Sequence, residues 1–148
     1  MEETDALIGG ESSGGLTIRG HIRGKDGIFA SSLLVEMICE TGKHLSDLLA
    51  DIYEKYGYMQ MAEFDTRFSE EKKSEIYHVL YEDESLPEFG REVKSICRTD
   101  GVKVTFTDGG WIIARFSGTE PLIRIFCEME TKELADAMIV KMREFLGI

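Results

Sequence analysis

Residues 115–124, RFSGTEPLIR, gather the side chains that an anion site needs. Arg115 and Arg124 each carry a guanidinium fork that matches a phosphate or carboxylate in two hydrogen bonds. Ser117 and Thr119 add hydroxyls. Gly118 loosens a backbone whose consecutive N–H groups can form a nest for an anion. Alternation along residues 111–116 puts Trp111, Ile113 and Arg115 on one face of a strand, with Ile112, Ala114 and Phe116 on the other. Along residues 122–128, Leu122, Arg124 and Phe126 share a face. If these strands pair across a turn centred near Thr119, Arg115 and Arg124 stand opposite each other. Like charges so placed are destabilising, and an anion between them would relieve the conflict. A hairpin of solvated arginines with Glu120 as a partner fits the spacing equally well.

A second candidate lies at residues 9–15, GGESSGG. It is not a phosphate-binding loop of the G-x-x-x-x-G-K-[ST] type, because no Lys-Ser/Thr pair follows the second glycine. It presents Glu11, Ser12 and Ser13 on flexible backbone. A carboxylate and a hydroxyl suit sugar hydroxyls, which both donate and accept. A plain surface turn is the alternative. Downstream, RGHIRGKDG supplies Arg19, His21, Arg23 and Lys25, which form either a second anion-facing patch or a solvated charge run. The three histidines, His21, His44 and His78, have no metal-ligand spacing, and no metal site is expected.

The elements that must carry these groups are readable from periodicity. Residues 6–9 form a short strand, and 10–25 a glycine-rich loop or irregular ribbon. From Asp26 to Gly42 the pattern is helical. Ile28, Phe29, Leu33, Leu34, Val35, Met37 and Ile38 give it so broad an apolar surface that burial on most sides is expected. Leu45, Leu48, Leu49, Ile52, Tyr53 and Tyr56 mark an amphipathic helix that Gly57 closes. Residues 58–68 alternate as a strand. Residues 69–81 are helical, with Ser69 as N-cap before Glu70 and Glu71. Short strands follow near 94–98, 102–107, 111–116 and 122–128, the first three joined by Asp-Gly turns. A last helix starts at Thr131. Its apolar stripe holds Leu134, Met138 and Phe145, with Ala135, Ile139, Met142 and Leu146 alongside. The chain is thus expected to be α+β. Residues 58–148 form an antiparallel sheet of about four strands with helices on one face, preceded in residues 1–57 by the helical end of an α/β domain.

The net charge of −11, from 28 acidic and 17 basic residues in 148, opposes general binding to nucleic acid or to an anionic membrane. A local basic cleft remains compatible with it. Cys39, Cys97 and Cys127 are far apart and odd in number. They are expected to be buried, reduced thiols in a cytoplasmic protein. No apolar run is long enough to span a membrane.

Taken together, RFSGTEPLIR and the two stretches that precede it in the chain, GESSGG and then HIRGKDGIFA, resemble the α-D-phosphohexomutase superfamily of phosphoglucomutases and phosphomannomutases. The first resembles its phosphate-binding loop, R-x-S-G-T-E-P, in the C-terminal domain. The second resembles its G-E-x-S-G sugar loop in the third domain, and the third resembles the segment after that loop. The resemblance implies that residues 1–57 belong to the third domain. Residues 58–148 would be the fourth, with a TATA-box-binding-protein-like fold. It also implies roles. Glu11 and Ser13 would bind sugar hydroxyls. Arg115, Ser117, Gly118, Thr119 and Arg124 would hold the non-reacting phosphate. Lys25, His21 and Arg23 would face the reacting end, where a cation assists transfer.

In such enzymes a phosphoserine hands its phosphoryl group to a hexose phosphate and recovers the other phosphate from the bisphosphate. The phosphoserine loop and the Mg2+-binding D-G-D-x-D-R motif of these enzymes have no counterpart in this sequence. The chain is therefore expected to be a C-terminal piece that binds no cofactor itself and has no mutase activity alone. Mg2+ is expected in the full-length parent. Its expected partners are a hexose phosphate and the N-terminal domains of the same protein, with self-association through the apolar helix or poor order in residues 10–25. A free-standing, non-catalytic sugar-phosphate-binding module and a merely structural domain remain as alternatives.

Overall fold

The computed structural model describes every residue except 2, 3, 12, 13 and 119. The chain divides into two compact units, Met1–Gly57 and Tyr58–Ile148.

In the first unit, β1 (Ile8–Gly10) pairs antiparallel with β2 (Leu16–Ile18) as a two-stranded ribbon, with Gly10 opposite Leu16. Helix α1 (Gly27–Thr41) starts where the Asp26 carboxylate accepts from the Phe29 amide at 3.0 Å. It ends at Gly42, whose left-handed backbone (φ 65°) lets its N–H reach the Ile38 carbonyl. Helix α2 (Leu45–Tyr56) follows after a short connection. The expectation that α1 is buried fails within this unit. None of its residues is buried; Ile28 is 84% exposed and Val35 60%. The apolar residues surround the helix, but the ribbon alone offers too little surface to cover them.

The second unit holds the core. Its sheet has five antiparallel strands in the order β3-β7-β6-β5-β4: β3 (Gln60–Arg67), β4 (Val93–Cys97), β5 (Val102–Phe106), β6 (Trp111–Phe116) and β7 (Leu122–Met129). The first of these joins at one edge, beside the last. One face carries Val102, Val104, Ile112, Ala114, Ile123, Ile125 and Cys127, all at most 1% exposed. Helix α3 (Glu70–Tyr77) and a π-helical turn (His78–Glu82) contribute Ile76 and Leu80 to this core. Helix α4 (Lys132–Leu146) contributes Ala135, Met138, Ile139, Met142 and Leu146. Leu134 and Phe145 flank that stripe and stay over a third exposed. Ser69 caps α3 at the Lys72 amide and Thr131 caps α4 at the Leu134 amide, each satisfying an N–H that the helix leaves unpaired. Both helices lie over one sheet face, so the opposite face, with Arg115 and Arg124, is free of helices.

The cysteines depart from expectation. All three are free thiols, yet only Cys127 is buried. Cys39 lies on the uncovered α1, and Cys97 on β4, an edge strand with every residue exposed.

Candidate functional site

The hairpin register sets Arg115 directly opposite Arg124. Backbone geometry fixes the pair. Ser117 N donates to Leu122 O at 2.9 Å and closes the turn, and Glu120 N donates to Ser117 Oγ at 3.3 Å. Gly118 is exposed within this turn, and Thr119 lies outside the described residues. A second constraint acts from the side. Gly101 (φ 85°) lies so close to β6 that a Cβ there would sit 2.6 Å from Arg115 Cβ. Only glycine fits both the backbone and the space.

Each guanidinium meets carboxylates. Arg115 Nη1 is 3.3 Å from Asp100 Oδ2. Arg124 Nε is 3.7 Å from Asp65 Oδ2, and Arg124 Nη2 is 3.7 Å from Glu120 Oε2. The last two distances exceed a hydrogen bond. Arg124 Nε is in fact buried without a hydrogen-bond partner. Buried donors are ordinarily satisfied, so this end of the sheet has donor capacity that its own carboxylates do not use.

In the first unit the sequence-predicted residues come together differently. Glu11 N donates to Gly15 O and Gly14 N to Glu11 O, each at 2.9 Å, which folds the loop back on itself. Lys25 lies across this loop. A Cβ on Gly15 would stand 2.4 Å from Lys25 Cδ, and Lys25 Nζ reaches Glu11 Oε2 at 2.6 Å. Ser12 and Ser13 lie outside the described residues. His21 Nε2 is 2.9 Å from Asp26 Oδ2, and its ring stacks on Phe29 at 4.0 Å between centroids. The Phe29 amide, and after it the His21 ring, hold the Asp26 carboxyl below its ordinary range. Arg19 pairs with Asp5 at 2.6 Å. Arg19, His21, Arg23 and Asp5 line an open cleft of about 830 Å³. The cationic run is therefore neither bare nor wholly solvated, because Arg19, His21 and Lys25 each face a carboxylate.

The sequence reading named Arg115 and Arg124 but missed Asp65, Asp100 and Arg67. Glu120 Oε1 also lies 3.4 Å from Arg67 Nη2. The strand alternation of β3 could have placed Asp65 and Arg67 on one face. Only the pairing of β3 with β7, some sixty residues away, puts them beside Arg124.

Two family models match the chain. Phosphoglucomutase/phosphomannomutase alpha/beta/alpha domain III matches residues 1–56, and the phosphoglucomutase/phosphomannomutase C-terminal domain matches residues 60–145. The chain belongs to the phosphoglucomutase/phosphomannomutase family. It is 32% identical over 148 residues to a phosphoglucomutase/phosphomannomutase of Thermococcus kodakarensis, covering 99% of this chain and 28% of that protein. It is 34% identical to a probable phosphoglucosamine mutase of Pyrococcus furiosus, covering 97% of this chain and 30% of the relative. It thus spans about three-tenths of the length of these relatives. A crystal structure of a phosphoglucomutase/phosphomannomutase family protein from Burkholderia thailandensis shares the fold. The TM-score is 0.65 at 18% identity, over 98% of this chain and 29% of that one.

For a family member, the metal question bears on this chain directly. Among the described residues, no three His, Cys, Asp or Glu side chains converge into a set able to hold a metal ion. The described residues therefore do not fit a Mg2+ site. No helix among the described residues is long and apolar enough to cross a membrane.

Proposed function

We propose that this chain is the sugar- and phosphate-holding C-terminal portion of a phosphohexomutase. In this reading residues 1–57 are the end of the third domain and residues 58–148 are the fourth. The observation that supports it most is the Arg115–Arg124 pair, opposed across β6 and β7 with one buried guanidinium N–H unsatisfied. A phosphate monoester offers three acceptor oxygens and about two negative charges at neutral pH. It would relieve the repulsion between the arginines and engage the idle donor. Ser117, Gly118 and Thr119 on the turn would complete the clamp.

The first unit supplies the sugar end. Glu11 and Ser13 would hold ring hydroxyls. Lys25, with His21 and Arg23 in support, would face the reacting oxygen. The Lys25–Glu11 ion pair keeps the ammonium beside the sugar-binding carboxylate, so substrate hydroxyls and phosphate would divide the pair between them. The transferred phosphoryl group would come from a phosphoserine in the N-terminal part of the parent enzyme, whose domains are the natural partners of this chain. Holding either phosphate of a hexose bisphosphate in one clamp positions the other for transfer, and positioning with electrostatic stabilisation dominates such reactions. The relatives are named phosphoglucomutase/phosphomannomutase and phosphoglucosamine mutase, and the substrate class these names share is a hexose phosphate.

Titration of the chain with glucose 1-phosphate, followed by calorimetry, tests the reading. Arg124→Ala is expected to cost about 1–3 kcal/mol of binding, the value of a charge-assisted hydrogen bond. Unchanged affinity would leave only a structural hairpin. The unaltered chain is expected to bind glucose 1-phosphate without converting it to glucose 6-phosphate. Turnover by the pure chain would overturn the assignment of the chemistry to an N-terminal part.

A further inference from the structure

The phosphate reading uses two arginines, but the sheet brings a third to the same place. The β3–β7 register pairs Asp65 with Arg124 and Arg67 with Leu122. Alternate residues share a face, so Arg67 lies on the helix-free side with Arg124, two register positions nearer the turn. The two guanidiniums already share an anion. Glu120 Oε1 is 3.4 Å from Arg67 Nη2, and Glu120 Oε2 is 3.7 Å from Arg124 Nη2. A single oxyanion therefore reaches both arginines at once. Glu120 is placed for this by the turn itself, through its N–H to Ser117 Oγ and its carbonyl to the Leu122 amide at 2.8 Å.

We propose that Arg67 is a third cation of the phosphate site and that Glu120 is its built-in occupant. An incoming phosphate monoester dianion takes the place of the Glu120 carboxylate between Arg67 and Arg124. This rests on the phosphate reading of the β6–β7 turn and adds to it a residue from a different strand and a displacement step. The charges make displacement feasible. The carboxylate has one charge, sits beyond hydrogen-bonding distance of Arg124, and is 43% exposed at its side chain, and exposed pairs of this kind are weak. Phosphate brings about two charges and a third oxygen, and it can engage each guanidinium in paired hydrogen bonds. Until it arrives, Glu120 keeps Arg67 and Arg124 together against their mutual repulsion. The occupant thus preforms the site and competes for it.

The test titrates the 148-residue chain and its variants with inorganic phosphate and, separately, with glucose 1-phosphate at low salt. Arg67→Ala is expected to weaken both ligands about three- to tenfold, with Arg67→Lys in between, because a point charge replaces the fork. Glu120→Gln is expected to tighten both about two- to fivefold, the worth of a weak exposed pair. Glu133→Gln removes one negative charge at the start of α4, outside the clamp. It should change affinity far less than Glu120→Gln. If Arg124→Ala weakens binding while Arg67→Ala and Glu120→Gln leave it unchanged, the third cation and its occupant are refuted and the phosphate site stands. Equal tightening by Glu133→Gln would refute displacement, reducing it to net charge. If the unaltered chain binds neither ligand, or Arg124→Ala has no effect, the phosphate reading itself falls and this inference with it.

Discussion

The two units of this chain use the same local grammar with opposite outcomes. Helices α1 and α4 are each fifteen residues long, each with a side-chain N-cap and a left-handed glycine at the C-cap. Helix α4 buries five residues against a five-stranded sheet. Helix α1 buries none, although it is the more apolar of the two. Caps and periodicity decide where a helix begins and ends. They do not supply a surface to pack on, and most helix stability in proteins comes from packing. The polar sites follow the same division. In the second unit the arginine pair is held by ladder hydrogen bonds across paired strands. In the first, Lys25 is placed by its ion pair with the Glu11 loop, and His21 by the Asp26 cap and the Phe29 ring.

The largest expected consequence is in local stability. Amides of β5, β6 and β7 should exchange only through global unfolding, and those of α1 and α2 through local opening. With an ordinary folding stability of about 5 kcal/mol or more, the rates should differ at least about a thousandfold. Hydrogen exchange followed by mass spectrometry reads this directly. Equal protection of α1 and α4 in dilute solution would break the contrast, and protection of α1 that grows with concentration would show a second copy covering it. The cysteines give an independent reading. Cys39 and Cys97 should label at once with a thiol reagent, Cys97 helped by a thiol that its hydrogen bond with Thr99 holds below the ordinary range. Cys127 should label only as the second unit unfolds, since burial also pushes its thiol up to about 12. Early labelling of Cys127 would mean that the second unit opens far more readily than its core implies.

Side-chain truncation should show the same contrast at smaller scale. Ile125→Ala removes a fully buried side chain from the middle of β7 and is expected to cost about 2–5 kcal/mol in urea denaturation. Val35→Ala, at a position 60% exposed, should stay within about 0.5 kcal/mol. A loss at Val35 approaching that at Ile125 would mean that α1 is packed in solution.

Much of the second unit was legible in the sequence because its signals are local. Ser69 and Thr131 announce their helices, and alternation with Asp-Gly turns at residues 100–101 and 108–109 marks the strands. The opposition of Arg115 and Arg124 also followed from alternation and one short turn. What escaped is non-local. The pairing of β3 with β7 is set by packing under α4, with no turn to announce it, and so Asp65 and Arg67 were not associated with Arg124. The π-helical turn after α3 carries no composition mark of its own. It is braced from β4's end, where Arg98 donates to the Leu80 and Glu84 carbonyls. In the first unit the three-residue β2 is too short to show a period. The Lys25 placement depends on the missing side chain of Gly15, which a reading of side chains passes over. The burial expected for α1 failed for a plain reason: an apolar pattern states a need for a partner and does not identify one.

The smallest expected effect separates the ion pairs of the two units. Arg91 has a side chain only 14% exposed, with Nη1 and Nη2 on the two oxygens of Glu130 at 3.1 and 2.6 Å and Nε on Asp108 at 2.9 Å. Arg19 and Lys25 each meet one carboxylate with both partners more than half exposed. Arg91→Ala should therefore cost about 1 kcal/mol, since its carboxylate partners remain partly solvated, whereas Arg19→Ala should cost close to nothing. The pH dependence carries the sign. Arg91's hydrogen bonds hold the Glu130 carboxyl below its ordinary range. The unfolded chain then takes up this proton first as pH falls. The stabilisation is fully present above the unfolded value and is lost as pH falls through the folded one. The difference between the parent chain and Arg91→Ala should accordingly be constant near neutral pH and shrink as the solution becomes acidic. A difference that persists unchanged at low pH would assign Arg91's worth to packing of its stem rather than to the pair with Glu130.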